Sequence, residues 1–329
     1  MPERPTDRKL DRLVDLLAEN ATVVLSGTKV ASRLRAAPST LWEWIERLRG
    51  MGVEIQGWPG SGYQLIRVPD ILTSQTVRHN LHAGDFGCRI HHFYKTASTM
   101  TEAARLAPEG APHGTLVLAE EQTAGRGRLG RSWISERSVG LYFTLVLRPE
   151  LAPAAAPILT LLAGVALAEA LREVSGLPLD LRWPNDVLIG GKKCAGILVE
   201  MTAEPDRVEY VLMGIGINVN HEQIPGSLAA GATSLRLEAG RSLSRLEILI
   251  SVLQRLEHYY NGYLTEGASP IIKRFVRLSS YARGKRVKVS DGVRTVVGVT
   301  AGLTPEGILL LRRDDGQTER VLSGHVRPE

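Results

Sequence analysis

Gln122-Thr-Ala-Gly-Arg-Gly-Arg-Leu-Gly-Arg-Ser-Trp133 places three glycines and three arginines within positions 125 to 131. An apolar, β-rich run precedes it (Thr115 to Ala119) and another follows (Leu141 to Leu147), so the stretch reads as a loop framed by strands. Gly125, Gly127 and Gly130 let the backbone approach a ligand closely. Arg126, Arg128 and Arg131 supply planar donors suited to carboxylate and phosphate, and Trp133 offers a face for stacking on a base. The loop is not a Walker A, which needs Gly-Lys-Ser/Thr, nor a dinucleotide fingerprint, which needs a following helix and an acidic ribose partner. A solvated basic loop of the RGG kind is the plainer alternative, but such tracts repeat and this one occurs once.

Working outward, Val187 to Ile189, Gly196 to Met201 and Val208 to Ile217 read as further strands. Helices are expected at Met100 to Leu106, Pro157 to Val174, Ser244 to Leu264 and Pro270 to Leu278. Ser244 with Glu247 fits a capping box. Leu151 to Ala168 carries no charge and is long enough to cross a bilayer. Its prolines, its alanine content and the charges that follow at Glu169, Arg172 and Glu173 favour a buried helix instead. The alternation gives a mixed-sheet α+β domain over 73–278. Before it, over 1–68, Leu10, Leu13, Val14, Leu16 and Leu17 recur at helical spacing. Lys29 to Arg35 and Ser39 to Arg49 follow as helices, with Ser39 or its predecessors as the cap, and Gly57 to Ile66 reads as a glycine-rich hairpin. That is the pattern of a winged helix-turn-helix. After the central domain, over 279–329, short strands broken by Asp-Gly and Glu-Gly turns suit a small β-barrel.

Two further constellations can carry chemistry. Arg182-Trp-Pro-Asn-Asp186 leads through the Gly190-Gly191 turn to Lys193, a hairpin that would set an amide, a carboxylate and an ammonium together. Such a lysine can neutralise charge developing in an adenylation transition state. Asp186 would be a general base or help hold magnesium, unless this is an ordinary Asn-Asp turn beside a surface lysine pair. Gly214-Ile-Gly-Ile-Asn-Val-Asn220 ends a strand where Asn218 could meet a ribose or base, or simply cap a bulge. His91 and His92 stand without a ligand cluster and are read as structural.

Together, Gly125 to Trp133, Trp183-Pro-Asn-Asp186, Lys193-Cys-Ala-Gly-Ile-Leu-Val-Glu200 and Gly214-Ile-Gly-Ile-Asn218 resemble the biotin protein ligase family, in its longer form with an N-terminal helix-turn-helix. The resemblance spans nearly the whole chain. It implies a central domain like the class II aminoacyl-tRNA synthetases and biotin-lipoate ligases, and a C-terminal SH3-like barrel. It further implies that ATP, with Mg2+, activates biotin to biotinyl-AMP, and that a lysine on a carboxylase carrier protein receives the acyl group. By position, Ser98, Thr99, Met100 and Gln122 would hold the ring end of biotin. Arg126, Gly127, Arg128 and Gly196 would enclose it, and Lys193 would meet its carboxylate and the α-phosphate. Arg131, Trp133, Asn185 and Asn218 would complete the adenylate site, with Lys193, Arg128 and Asp186 as the catalytic group. A ligand-linked homodimer and a role as biotin-responsive repressor of operator DNA are also implied.

The chain departs from the family pattern in three places. Met100 stands where asparagine is frequent, and the Ser323-Gly-His-Val-Arg327 ending is short. In the third helix, Ser39, Thr40, Trp42 and Arg47 are the candidate DNA contacts, but from Ser39 to Gly50 Arg47 and Arg49 are balanced by Glu43 and Glu46. A neutral recognition helix predicts weak operator binding, because phosphate contacts supply most of the affinity of such modules. The net charge of +5 is ordinary for an enzyme that handles phosphates. Two cysteines without a disulfide framework and an N-terminus without a leader pattern predict a cytoplasmic protein that does not enter membranes. A lipoyl or octanoyl transferase of the same fold is the alternative enzyme, and a biotin-binding regulator without catalysis the alternative of another class.

Overall fold

The computed structural model describes residues 5–21, 23–51, 53–66, 70–81, 84–226, 228–292 and 294–329. The expected first-domain limit at Val68, and Met1 to Arg4 of the expected leader-free start, lie outside them. Three helices, α1 (Pro5–Ala18), α2 (Gly27–Arg33) and α3 (Pro38–Gly50), precede the antiparallel pair β1 (Ile55–Trp58) and β2 (Gly62–Leu65). The helical spacing in α1 puts Leu10, Leu13 and Leu17 into one buried cluster with Leu41, Ile45 and Leu48 of α3. Of Ser39 and its predecessors, the one that caps α3 is a predecessor. Ala37 holds that position without a side-chain hydrogen bond and Pro38 starts the helix, its fixed φ and missing N–H suiting the first turn. Gly62 cannot be replaced: at φ +136° an added Cβ would lie 1.9 Å from the Leu25 carbonyl oxygen.

The central unit runs α4 (Ser74–Asn80), β3 (Ile90–Phe93), α5 (Thr99–Leu106), β4 (Thr115–Ala119), β5 (Leu141–Leu147), α6 (Ile158–Ser175), β6 (Leu179–Arg182), β7 (Asp186–Ile189), β8 (Lys192–Ala203), β9 (Val208–Ile217), α7 (Leu235–Ala239), α8 (Arg245–Glu266) and α9 (Ser269–Leu278). Its strands form one sheet in the order β3-β4-β5-β9-β8-β7-β6, parallel between β3 and β4 and antiparallel elsewhere. The charge-free stretch that mimics a membrane span contributes α6, whose leucines and alanines are buried between the sheet and the helices α8 and α9. Ser244 caps α8, its hydroxyl accepting from the Glu247 amide at 3.2 Å. A five-stranded antiparallel sheet closes the chain: β10 (Arg283–Ser290), β11 (Thr295–Leu303), β12 (Leu309–Arg312), β13 (Thr318–Val321) and β14 (His325–Pro328), ordered β13-β12-β11-β10-β14.

His92 fixes the N-terminal unit to the central sheet. Fully buried on β3, its Nδ1 lies 3.0 Å from Asp11 of α1 and its Nε2 3.4 Å from Glu120 at the end of β4. Glu120 also accepts the Leu72 amide at 2.9 Å and pairs with the buried Arg245 at 2.9 Å. Burial alone would lower the His92 pKa, but Asp11 and Glu120 raise it to about 10, so the imidazole is charged. A folded pKa above the ordinary 6.5 contributes stability that is complete below pH 6.5 and lost as pH rises towards about 10. The thermal midpoint of the protein should therefore fall across that window, and His92→Gln should flatten the fall. Parallel pH curves for the two proteins would show that His92 carries no charge.

Candidate active site

The hairpin of β7 and β8 builds a charged corner. Lys193 Nζ lies 2.5 Å from Asp186 Oδ1, while Asp186 Oδ2 accepts from Arg182 Nη2 at 2.8 Å and Nε at 3.2 Å. Burial would raise the Asp186 pKa, but Lys193 and Arg182 hold it below the usual carboxylate range. Both oxygens are committed and proton affinity is low, so this side chain suits holding Lys193 rather than acting as a base or an open magnesium ligand. Among the described residues no three His, Cys, Asp or Glu side chains cluster as metal ligands.

The floor is made by glycines. Gly196 and Gly216 face each other across β8 and β9, and the Trp133 ring lies on them: a Cβ on Gly216 would come within 2.5 Å of Trp133 Cε2. Two residues along β9, a Cβ on Gly214 would meet Met100 Sδ at 2.6 Å. Lys193 Nζ stands 5.3 Å from the Trp133 ring centroid, a cation over an aromatic face. We expect Gly216→Val to displace Trp133 and lower turnover about 10- to 100-fold, because small misplacements at a reacting centre are costly. Tryptophan emission and steady-state rates check this, and an unaltered rate would remove the glycine floor from the argument.

One wall comes from the start of α5. Ser98 caps that helix, its hydroxyl accepting from the Met100 amide at 3.3 Å. Gln122 Oε1 accepts from the Thr99 amide at 2.8 Å and the Thr99 hydroxyl at 3.2 Å, and its Nε2 donates to Ser135 at 2.8 Å. The arginine loop covers the floor as a narrow hairpin, with the Gly127 amide on the Arg131 carbonyl at 2.7 Å and the Trp133 amide on the Gly125 carbonyl at 2.8 Å. Leu129 at its tip is exposed with φ +56°, a conformation that costs a non-glycine residue energy. Arg126 reaches Glu200 at 2.5 Å. Arg128 donates to Asn185 Oδ1 at 3.0 Å and to the Gly324 carbonyl at 3.4 Å, joining the loop, the charged corner and the C-terminal unit.

The structure thus brings Ser98, Thr99, Met100, Gln122, Arg126, Gly127, Arg128, Trp133, Asn185, Lys193 and Gly196 around one cavity of about 50 Å³. Asp186 lies behind Lys193. Arg131 and Asn218 do not line the cavity, and the Asn218 amide instead donates to the Thr233 carbonyl at 3.0 Å. A groove of about 1120 Å³ past Arg148 and Tyr210 lies at the opposite ends of β5, β8 and β9 and holds none of the expected residues. Three contributors escaped sequence reasoning. Glu200 and Arg182 sit inside quoted motifs, but their partners are set by the sheet. His325 arrives from the C-terminal unit, where burial and the nearby Arg131, Arg182 and Arg327 hold its pKa down to about 4, against the pull of Asp186.

The candidate DNA contacts are less assembled. On α3, Ser39 and Trp42 are exposed and Thr40 is half-buried, but Arg47 is tied to Asp7 at 2.8 Å. Arg49 likewise pairs with Glu46 at 2.6 Å and the Ile55 carbonyl at 2.9 Å. Both arginines are engaged within their own unit.

The biotin/lipoate A/B protein ligase family matches residues 92–218, and the biotin protein ligase C terminal domain matches residues 283–326. The bifunctional ligase/repressor BirA of Bacillus subtilis is 38% identical over 92% of this chain and 94% of its own. The protein of the same name from Escherichia coli is 29% identical over 92% of each chain. Among solved structures, the biotin protein ligase from Aquifex aeolicus in complex with biotin and ATP superposes with a TM-score of 0.64 at 31% identity, covering 74% of this chain and all of that one.

Proposed function

The chain belongs to the biotin protein ligase family, and from that premise we propose how its residues form an activated acyl group and pass it to a carrier lysine. It is a biotin--protein ligase that uses ATP. A carboxylate oxygen of biotin attacks the α-phosphorus, the bond to the bridging oxygen breaks, and pyrophosphate leaves. The carrier's amine then attacks the acyl carbon, AMP departs, and the amine loses a proton as the amide forms. Ser98, Thr99, Met100 and Gln122 receive the ring end. Lys193 bridges the biotin carboxylate and the α-phosphate, where an ammonium stabilises charge that builds in the transition state. Arg126 and Arg128 draw the loop down so that water cannot reach the mixed anhydride. Trp133, lying on the glycine floor in the same cavity as Asn185, offers its ring for stacking near adenine.

The observation that carries this reading is the meeting of Lys193, Arg128 and Trp133 over one glycine floor. Incubation with ATP, Mg2+ and biotin should yield biotinyl-AMP and label a carboxylase carrier domain. No adenylate under those conditions would end it. Inhibition by lipoate and not by biotin would instead favour a lipoyl or octanoyl transferase.

The three-helix unit with its hairpin is read as a winged helix-turn-helix over 1–68, joined to a ligase domain over 73–278 and an SH3-like barrel over 279–329. We assign the first a biotin-responsive repressor role of low DNA affinity, since Arg47 and Arg49 are held by acidic partners within the unit. The exposed Trp42 and Trp58 are its outward aromatic groups. A ligand-linked homodimer in the cytoplasm completes the assignment. Band-shift and sedimentation experiments with and without biotin test both parts, and a mass and a DNA affinity that ignore biotin would remove them.

A further inference from the structure

We infer that Arg182 is a positioning residue for adenylate formation, holding one oxygen of Asp186 so that the Lys193 ammonium rests on the other and keeps its positive charge available to the reacting phosphate. The inference rests on the ligase reading and deepens it, giving the Arg182–Asp186 contact a role in the chemistry. Three groups stand in a row with two positive charges and one negative. Arg182 meets Asp186 Oδ2 through two nitrogens, and Lys193 meets Oδ1 alone. Were Arg182 absent, the buried carboxylate would face a single cation. Lys193 would then swing to take both oxygens, and a close pair in a poorly solvated site is hard to part. Sharing the carboxylate leaves the corner with a net positive charge on its pocket side.

Arg182 is itself placed from outside the catalytic hairpin. It ends β6, and its guanidinium carbon lies 5.9 Å from the Tyr281 ring where the chain enters the C-terminal sheet. The adjacent Trp183 donates from Nε1 to the Gly307 carbonyl at 3.0 Å, fixing the same turn from that sheet. The row from Tyr281 through Arg182 and Asp186 to Lys193 therefore links the C-terminal unit to the group that meets phosphate. A lysine at 182 keeps the charge but loses the two-point grip, so it should restore only part of the function.

The test compares wild type, Arg182→Met and Arg182→Lys in the full chain, with active sites counted from the burst of pyrophosphate. Arg182→Met should lower kcat for adenylate formation about 10- to 100-fold per active site. KM for biotin should stay within about twofold, since the ring-end wall is untouched, and Arg182→Lys should fall between the two. A purely structural arginine would reduce the number of active sites and leave kcat per site unchanged, which would overturn the proposal. If Arg182→Met does not fold, the lysine variant is read the same way, with a several-fold loss of kcat expected. A crystal structure of the folded variant gives a readout independent of activity: Lys193 should move onto both Asp186 oxygens, and an unmoved Lys193 refutes the inference. If wild type forms no biotinyl-AMP, the ligase reading fails, while the crystal structure still decides the placement of Lys193.

Discussion

Lys193→Ala should reduce biotinyl-AMP synthesis by at least about 100-fold, the scale on which a single group aimed at developing charge contributes to a rate. The loss should appear in kcat, because the ring-end wall of Ser98, Thr99, Met100 and Gln122 forms from α5 and the strand-end loop without help from Lys193. The fold should survive. Asp186 loses one partner but keeps both bonds to Arg182, so no carboxylate is left buried and alone. Circular dichroism and a thermal midpoint near wild type would establish that the protein is intact, and single-turnover formation of labelled adenylate measures the chemistry. Wild-type turnover in this variant would contradict the assignment of the site.

Arg128→Ala should let the adenylate escape. Arg128 is the side chain that ties the covering loop to Asn185 and to the Gly324 carbonyl, and burial lowers its proton affinity without discharging a guanidinium. Hydrogen bonds to a charged group contribute about 1.5–3 kcal/mol. Their loss should quicken release of the adenylate roughly 10- to 150-fold. Freed mixed anhydride acylates any exposed amine, so the variant should label bystander proteins as well as the carrier domain. Blotting of bystander protein, together with dissociation of radiolabelled adenylate, tests the point. Unchanged retention would show that the loop is not the clamp. The contrast with Lys193→Ala is diagnostic: one variant fails to make the intermediate, and the other fails to keep it.

The regular elements were legible because they obey short-range rules. Thr115–Ala119 and Leu141–Leu147 have the limits expected from their apolar β-rich runs, and the helix capped by Ser244 begins where its serine and glutamate place it. Some shorter pieces were not legible. The strand Leu179–Arg182 and the two last strands of the C-terminal sheet carry charged residues among few apolar ones, so unlike the equally short Asp186–Ile189 they form no apolar run, and pairing with neighbours defines them. At α3 the sequence left the cap open between Ser39 and the residues before it, and the structure gives it to Ala37, with Pro38 opening the helix.

What the sequence determined by itself is the inventory of the site: a glycine- and arginine-rich loop, an Asn-Asp turn leading to a lysine, a glycine-bearing strand, and their order along the chain. Composition and local spacing carry that information because each motif is a contiguous run. Tertiary structure alone decided how the pieces divide the charge. Asp186 became the anchor of Lys193 instead of a free base because β6 ends beside β7 and delivers Arg182 to its second oxygen. Trp133 lies over Gly196 and Gly216 because β8 and β9 pair in the register that sets those glycines opposite each other. Arg128 meets Gly324 across 196 positions of chain. Contacts of that kind depend on strand order and register, which no local run of residues encodes.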